Sequence, residues 1–410
     1  MPRALVVILD SLGVGAAPDA AGTPDEGANT FGHIAQWCVD HQRPLHIPNL
    51  LGLGLGHAMQ IATEQWPAGL PIPTTVKGAY GAARPISKGK DTPSGHWELM
   101  GCPVPFDWGY FDPAKAANGN IFPKEHWQRW LDACGLAGSL ANCHASGTEV
   151  INQWGDEQLH TGLPICYTSS DSIFQIAAHQ EAFGLDRLYE ICEVAKPIFD
   201  ELNIARVIAR PFLGQDGNYR RTANRRDYTT PPPAKTLLDA LTAAGREVHA
   251  VGKIKDIFAA RGISHHTKGD DNAALCALTL QAMQACPDGG MVFTNLVDFD
   301  MLYGHRRDPG GYAQALEEFD AFLPALLAQM QDGDLLAISA DHGCDPTWPG
   351  SDHTREFVPV LLTSRALCAN QTLGQRASFA DLGQTLAHYL GVPALPAGTA
   401  CQVSTAASKL

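Results

Sequence analysis

The sequence predicts an α/β protein in which a mainly parallel sheet is covered by helices on both faces and is interrupted by an inserted domain. Three observations support this fold class. Over residues 230–410, apolar segments of strand length alternate with amphipathic segments of helix length. A similar apolar segment opens the chain, whereas residues 107–229 differ in composition. At 410 residues, the chain is also longer than one compact domain usually is.

The first part of the main domain is expected within residues 1–106. Residues 5–9 are all apolar and mostly β-branched, which predicts a buried strand. A Gly-rich loop follows, then a segment rich in Leu and Gly at 49–56. A second strand is expected near 76–85.

Residues 230–410 are expected to complete the same domain. Apolar residues recur with helical spacing at 234–244, 271–285, 311–330 and 379–390. Strands are predicted from the apolar, β-branched runs at 248–251, 291–297, 335–340 and 358–362.

Residues 107–229 are predicted to form the inserted domain. They contain strand candidates at 173–178 and 206–211 among loops with Gly and Asn. They also carry the densest basic stretch of the chain, 220–226, which by composition alone is typical of a solvated basic face. Three consecutive prolines at 231–233 stiffen the exit, so the boundary is expected just before them.

Composition excludes several classes of protein. The formal net charge of −14 argues against binding to nucleic acids or to a membrane surface. No apolar run approaches the roughly 18 residues of a membrane span. The 11 cysteines are scattered without a CxxC pair, which predicts reduced, mostly buried thiols rather than a zinc ribbon or a disulfide scaffold.

Metal-binding residue types follow three of the predicted strands. Asp10 ends the first strand, Asp298 and Asp300 follow the strand at 291–297, and Asp341 and His342 end the strand at 335–340. The carboxyl ends of parallel strands meet at one edge of the sheet, where such folds bind ligands. Carboxylates and imidazoles at that edge predict a metal site.

Further candidate ligands lie close by in the sequence. His305 follows Asp300 after five residues, and His353 follows His342 after eleven. Asp341 and His342 are adjacent and can converge only if the chain turns there, which Gly343 permits. A single His or Asp is usually a core residue or a helix cap, but several buried carboxylates would repel one another without cations. Mixed oxygen and nitrogen ligands in this number suit two divalent ions, Mn²⁺ or Zn²⁺ rather than Ca²⁺.

A nucleophile is predicted in the polar segment 87–98. The candidate is Thr92, although a Thr-Pro pair is by itself usually a turn and Ser94 is a competing hydroxyl. Threonine is a poor nucleophile unless its proton is removed, which direct metal coordination would achieve. Two metal ions flanking a hydroxyl would suit phosphoryl transfer.

Four longer segments contain these candidate residues: VILDSLGVG at 7–15, GKDTPSGHWE at 89–98, NLVDFDMLYGHRR at 295–307 and ADHGCDP at 340–346. Together they resemble the phosphopentomutase family of the alkaline phosphatase superfamily, and the resemblance covers nearly the whole chain. It implies a three-layer αβα sandwich of the alkaline phosphatase type with an inserted α+β cap domain.

The resemblance also implies a role for each candidate residue. Thr92 would carry the phosphoryl group as phosphothreonine. Two divalent ions, with Mn²⁺ as first choice, would be held by two sets of ligands: Asp10, Asp341 and His342 with Thr92 for one ion, and Asp300, His305 and His353 for the other. Asp298 would lie outside both sets.

The implied reaction interconverts ribose 1-phosphate, or its 2-deoxy form, with the 5-phosphate. A sugar 1,5-bisphosphate would be both intermediate and activator. The sugar phosphate would be bound by Ser169, Asp171, Arg210 and Arg225 of the inserted domain and by Lys253. Pentose phosphates are thus the expected partners, with no nucleic acid, membrane or obligate protein partner.

The main alternative is another phosphomutase or a phosphohydrolase of the same superfamily. Cofactor-independent phosphoglycerate mutases use serine and have a larger insertion, and sulfatases have Cys or Ser in a CxPxR or SxPxR setting, which Thr92-Pro93-Ser94 does not match. A metal-stabilised binding protein without turnover is the alternative from another class.

The last three residues, Ser408, Lys409 and Leu410, spell a peroxisomal targeting tripeptide. Such a signal has meaning only in a eukaryotic cell, and the family that the chain resembles is characteristically bacterial. The sequence therefore predicts a cytoplasmic enzyme.

Overall fold

The computed structural model describes residues 1–116, 119–169 and 172–405. The chain divides into two compact units. The core unit joins Met1–Pro105 with Pro232–Leu410, and the inserted unit is Phe106–Pro231.

The secondary structure of the described residues runs through both units in chain order. The strands are β1 (Ala4–Leu9), β2 (Ala79–Ala83), β3 (Leu140–His144), β4 (Ile165–Thr168), β5 (Ile173–His179), β6 (Arg206–Gln215), β7 (Asn218–Arg221), β8 (Arg226–Thr229), β9 (Val248–Val251), β10 (His265–Thr267), β11 (Met291–Leu296), β12 (Leu335–Ser339), β13 (Val358–Thr363) and β14 (Gln371–Arg376). The α-helices are α1 (Thr30–Asp40), α2 (Pro48–Leu53), α3 (Leu55–Thr63), α4 (Thr92–Leu99), α5 (Lys124–Cys134), α6 (Gly147–Thr161), α7 (Leu185–Asp200), α8 (Leu237–Ala243), α9 (Ile254–Ile257), α10 (Asn272–Ala285), α11 (Pro309–Gln329) and α12 (Ala380–Leu390). Short 3-10 helices cover Pro18–Ala20 and Pro113–Lys115, and single π-helical turns cover Gln180–Gly184 and Phe299–Gly304.

The core unit is built on one eight-stranded sheet in the order β10-β9-β11-β1-β12-β13-β2-β14. Its pairings are parallel except the two that involve β13, which runs antiparallel to β12 and to β2. The mainly parallel sheet that the sequence predicts is therefore present, with one strand reversed.

Helices cover both faces of this sheet. Every residue of β1, β11 and β12 is buried, although successive side chains point to opposite faces. The helices contact one another in two sets, α1, α2, α3, α10 and α11 in one and α4, α8, α9 and α12 in the other. This is the three-layer αβα arrangement that the sequence predicts.

The inserted unit has its own sheet, in the order β3-β4-β5-β6-β7, with β8 also paired to β6. Its core is largely aromatic: the ring of Phe174 lies 4.2 Å from that of Phe199 and 5.4 Å from that of Trp130, between centroids. Both Trp130 and Phe174 are fully buried. The unit therefore has an independent α+β core.

Most elements predicted for residues 230–410 are confirmed to within three residues at each end. Two short strands of the core sheet, β10 and β14, were missed because their polar, partly exposed sequences lack the apolar run of a buried strand. All 11 cysteines are free thiols and nine of them are buried, as predicted. Within the described residues, no helix has both the length and the apolar character needed to cross a membrane.

Candidate active site and metal centre

Candidate ligands gather at the carboxyl-terminal edge of the core sheet. In the parallel register, Ile8 of β1 lies level with Asn295 of β11 and Ser339 of β12. Asp10 and Asp341, each two residues further along, are therefore neighbours at this edge. The π-helical turn after β11 brings Asp300 to the same edge.

The first group comprises Asp10, Asp341 and His342, all of which are buried. Nε2 of His342 lies 3.6 Å from Oδ1 of Asp10 and 3.3 Å from Oδ2 of Asp341. One potential ligand atom from each residue lies within 4.8 Å of the others. The sequence-predicted first ligand set is thus brought together.

In each carboxylate of this group, one oxygen is held by a protein N–H and the other faces the site. Asn295 Nδ2 donates to Asp10 Oδ2 at 3.0 Å, and the backbone N–H of Ser11 donates to Asp341 Oδ1 at 3.1 Å. Ser11 has φ +71°, which turns the chain sharply after β1. Both remaining oxygens are buried: Asp10 Oδ1 has no hydrogen-bond partner among the described residues, and Asp341 Oδ2 lies 3.1 Å from Nδ1 of His96.

The second group comprises Asp300, His305 and His353. Asp300 Oδ2 lies 3.3 Å from Nε2 of His305, and Oδ1 lies 3.4 Å from Nε2 of His353. The two imidazole Nε2 atoms are 3.1 Å apart. The structure therefore also brings together the second predicted ligand set.

Backbone carbonyls fix the orientation of all three imidazoles. Nδ1 of His342 lies 3.1 Å from the carbonyl oxygen of Gly343. Nδ1 of His305 lies 2.6 Å from the carbonyl oxygen of Ser351, and Nδ1 of His353 lies 2.9 Å from that of Lys90. Because a carbonyl only accepts, each Nδ1 carries a proton, and each ring directs its Nε2 toward the carboxylates. This is how metal-binding histidines are usually held.

The electrostatics of the site favour a bound positive charge. Burial raises the pKa of Asp10 well above its ordinary value, and the charges of Asp341 and Asp300 raise it further. Burial also opposes ionisation of Asp300, but His305 and His353 hold its pKa well below the ordinary value. Burial lowers the pKa of His353, but Asp300, together with the charges of Asp352 and Asp10, raises it to about 9. A proton is thus attracted to the position between these groups.

The donor set fits two divalent ions. Three buried carboxylates supply oxygen atoms, one of which, Asp10 Oδ1, has no hydrogen-bond partner among the described residues, and three imidazoles supply oriented nitrogen atoms. Mixed oxygen and nitrogen ligands suit borderline first-row ions better than Ca²⁺.

Thr92 is the hydroxyl that faces the first group. Its Oγ1 lies 3.3 Å from Nε2 of His342, and the residue is only partly buried. Ser94, the competing candidate, is fully buried, and its hydroxyl donates to Asp91 Oδ2 at 2.8 Å. The two alternatives that the sequence left open are thus distinguished by geometry.

Helix α4 positions Thr92. Asp91 is its N-cap and accepts a hydrogen bond from the N–H of Ser94 at 3.0 Å, so Thr92 is the first helical residue. Pro93 suits the next position because helix N-termini need no N–H there. The positive end of the helix dipole therefore lies beside the Thr92 hydroxyl, where it favours a negatively charged group.

Several residues that support the site were missed in the sequence. Glu98 is fully buried and accepts hydrogen bonds from the N–H groups of Ser87 (2.7 Å) and Phe379 (3.0 Å) and from the Ser378 hydroxyl (2.8 Å). It thereby anchors the loop that leads to Thr92. Its partners are distant in sequence, so no local pattern could have revealed this role.

Two further side chains near the ligands were not predicted. The His96 imidazole is buried against Asp341, with Nδ1 3.1 Å from Oδ2. The Cys344 thiol offers a ligand atom within 4.8 Å of those of Asp300 and His305. The only signal was their place inside the motifs at 89–98 and 340–346.

Asp298 lies outside both groups, as the resemblance implied. Its Oδ2 accepts a hydrogen bond from the N–H of Asn272 at 2.7 Å, and its own N–H donates to Asn272 Oδ1 at 3.1 Å. This exchange ties the end of β11 to the start of α10.

Comparison with known proteins places this centre in a family. The sequence-family model of the metalloenzyme superfamily matches residues 2–394 of this chain. A phosphopentomutase of Rhizobium meliloti is 53% identical over 97% of this chain and 99% of its own length. A phosphopentomutase of Idiomarina loihiensis is 52% identical over 98% of this chain and all of its own length. The chain belongs to the phosphopentomutase family.

Among solved structures, the PH0037 protein of Pyrococcus horikoshii superposes with a TM-score of 0.48 at 14% identity, over 95% of this chain and 97% of that one. This similarity is too low to add to the assignment, which rests on the phosphopentomutase relatives.

The substrate-binding residues implied by the phosphopentomutase resemblance lie mainly in the inserted unit. Ser169 follows β4 and is partly buried, whereas Asp171 lies outside the described residues. Lys253 follows β9 in the core unit, where its charge lowers the pKa of Asp10 against the effect of burial.

Two arginines of the inserted unit are close enough to repel each other. Nε of Arg210, on β6, donates to Gln175 Oε1 at 3.0 Å. Burial lowers the pKa of Arg210, and the charge of Arg225 lowers it further. Arg225 itself forms a two-point pair with Asp227, with both contacts at 2.6 Å. An anion bound beside Arg210 would offset both effects.

Proposed function

We propose that this chain is an isomerase that interconverts ribose 1-phosphate, or 2-deoxyribose 1-phosphate, with the corresponding 5-phosphate. The phosphoryl group would be carried by Thr92, and a sugar 1,5-bisphosphate would be the intermediate and the activator. The observation that carries this proposal is the position of Thr92 Oγ1, 3.3 Å from Nε2 of His342 and at the amino end of α4.

Two divalent ions, with Mn²⁺ as first choice, would be held at this centre. Asp10, Asp341, His342 and Thr92 would hold one, and Asp300, His305 and His353 the other. When bound, such ions neutralise phosphoryl oxygens and lower the pKa of a coordinated hydroxyl. The buried carboxylate oxygens and the oriented Nε2 atoms support this assignment.

Each transfer exchanges one phosphate ester for another. The phosphorus–Oγ1 bond of phosphorylated Thr92 breaks while a bond forms from phosphorus to the free hydroxyl of the sugar phosphate. That hydroxyl releases its proton to solvent, and the Thr92 oxygen is the leaving group, which takes up a proton in turn. In the second transfer, the phosphate that the sugar originally carried passes from the bisphosphate to Thr92. The sugar then leaves with the phosphate that it received in the first transfer.

The helix terminus contributes to both transfers. Negative charge on the Thr92 oxygen, or on a phosphoryl group attached to it, lies at the positive end of the α4 dipole. Asp91 holds Ser94 away from the reaction through two hydrogen bonds. These contacts favour Thr92 over Ser94 as the phosphorylated residue.

The phosphate that is not transferred requires its own binding groups. We assign this role to Arg210 and Arg225, with Ser169, Asp171 and Lys253 contacting the sugar phosphate. Arginine suits the role because its planar guanidinium binds phosphate through paired hydrogen bonds. The mutual repulsion of Arg210 and Arg225 would be relieved by an anion.

The proposed location is the cytoplasm, in nucleoside-sugar metabolism, and the eleven free thiols are consistent with a reducing compartment.

A coupled assay tests the proposed function. Ribose 5-phosphate formed from ribose 1-phosphate is measured with and without Mn²⁺, together with the release of inorganic phosphate. We expect isomerisation that requires the ion and little phosphate release. Phosphate release without ribose 5-phosphate would instead support the alternative of a phosphohydrolase.

A further inference from the structure

One carboxylate and two imidazoles form a cluster at the edge of the core sheet. Glu247 directly precedes β9, His249 lies within it, and His265 begins the edge strand β10. These strands pair in parallel with His265 opposite His249. Because residues two apart in a strand share a face, Glu247 lies on the same side as both histidines.

The potential ligand atoms of this cluster converge. Glu247 Oε2 lies 2.7 Å from Nε2 of His249 and 3.2 Å from Nε2 of His265. All three atoms are within 4.8 Å of one another, and the two ring centroids are 4.5 Å apart. The His249 side chain is only 7% exposed, whereas those of Glu247 and His265 are 42% and 59% exposed. An ion could therefore reach the cluster from solvent.

The surroundings leave room for water ligands. The cluster lines an open cavity of about 400 Å³ that is also bordered by His266 and by Gln281 of α10. A cavity of this size holds several water molecules, so water could complete the coordination of an ion.

We propose that Glu247, His249 and His265 bind a third divalent ion, with Zn²⁺ as the best candidate. Two imidazole nitrogens and one carboxylate oxygen match zinc sites that keep an open position for water. Mg²⁺ and Ca²⁺ prefer oxygen ligands throughout, so neither suits this donor set.

This site is separate from the candidate active site. Strand β9 spans roughly 10 Å at about 3.3 Å per residue, and Glu247 precedes its amino end, whereas the candidate active site lies at the carboxyl-terminal edge of the sheet. A bound ion would join β10, a three-residue edge strand, to β9 and so stabilise the edge of the sheet. The site does not depend on the proposed function.

Zinc content and thermal unfolding test this site. Wild-type protein and the variants His265→Gln and Glu247→Gln are stripped with a chelator and dialysed against Zn²⁺ buffered at about 1 μM, so that retained ion reports roughly micromolar affinity or better. His160→Gln, an exposed helix-end histidine, is the control. His265→Gln should fold normally because its side chain is exposed.

We expect His265→Gln and Glu247→Gln each to bind one zinc ion fewer per chain than wild type. His160→Gln should bind as much zinc as wild type. Part of the zinc-dependent rise in Tm should be lost with the missing ion, while mutase activity with Mn²⁺ is unchanged. Equal zinc content in all four proteins would overturn the proposal. An equal loss in His160→Gln would do the same, because it would indicate nonspecific binding.

Discussion

The Nε2 atoms of His305 and His353 lie 3.1 Å apart, and each ring is turned toward the other by a hydrogen bond from Nδ1 to a backbone carbonyl. Two neutral imidazoles in this arrangement place their lone pairs face to face beside Asp300. Either a proton or a metal ion must lie between them. The fixed Nδ1 protons indicate that the folded chain is prepared for the ion.

The two neighbouring aspartates should respond differently to substitution. Asp300→Asn should lose one metal equivalent and reduce kcat/KM roughly 100-fold or more, because ligand loss costs at least as much as loss of a residue that supports a ligand. Asp298→Asn, the matched control, should keep both equivalents because Asp298 binds Asn272 instead. Metal analysis of both variants decides which aspartate is the ligand. Loss of metal from Asp298→Asn but not from Asp300→Asn would show that Asp298 is the ligand.

Glu98 should be essential for stability. In Glu98→Gln, an NH₂ group replaces one carboxylate oxygen. In wild type, the N–H groups of Ile86, Ser87 and Phe379 donate to the carboxylate, so some of them would face another donor in the variant. We expect the free energy of unfolding to fall by about 2–4 kcal/mol. Urea denaturation measures this change, and the exposed Glu149→Gln should stay within about 0.5 kcal/mol of wild type. A Glu98→Gln variant as stable as wild type would show that this anchor is not needed.

These two predictions show where sequence reasoning succeeds and where it stops. Asp10 and Asp341 could be predicted as neighbours because the carboxyl ends of parallel strands meet at one edge of the sheet. The choice of Asp300 over Asp298 came from the resemblance of the motifs to the phosphopentomutase family. Glu98 could not be found because its partners come from residues 86–87 and 378–379, and only folding brings those segments together. The reversal of β13 was missed for a similar reason, since an all-apolar strand reads alike in either direction.

His57 should make stability depend on pH. It packs between Trp66 and Tyr80, at ring distances of 5.1 and 4.7 Å, and burial lowers its pKa below the ordinary 6.5. His57 therefore binds a proton more readily in the unfolded chain than in the folded one. Its contribution to the free energy of unfolding is complete above pH 6.5 and is lost as the pH falls below 6.5 toward the lower pKa of the folded state.

The free energy of unfolding, measured between pH 5 and 7.5, tests this effect. We expect the difference between wild type and His57→Gln to shrink as the pH falls, while the exposed His160→Gln follows wild type. A pH-independent difference between wild type and His57→Gln would contradict the prediction.

Arg210 should act on substrate binding and not on metal binding. Arg210→Ala should lower kcat/KM for ribose 1-phosphate by roughly 30- to 150-fold, as expected for loss of about 2–3 kcal/mol from charged hydrogen bonds. Metal content should stay at the wild-type value. Arg220→Ala removes an exposed arginine of β7 and is the matched control, with activity within a few fold of wild type. Unchanged kinetics in Arg210→Ala would remove it from the phosphate site.

Phosphate labelling tests the central role of Thr92 most directly. The Mn²⁺-loaded protein is incubated with ribose 1,5-bisphosphate, digested and analysed by mass spectrometry, with Thr92→Ala as the comparison. The predicted result is one phosphate on Thr92 in the wild type and none in the 87–98 segment of the variant. A phosphate on Ser94, or no covalent phosphate in folded, metal-loaded wild type, would contradict the proposed mechanism.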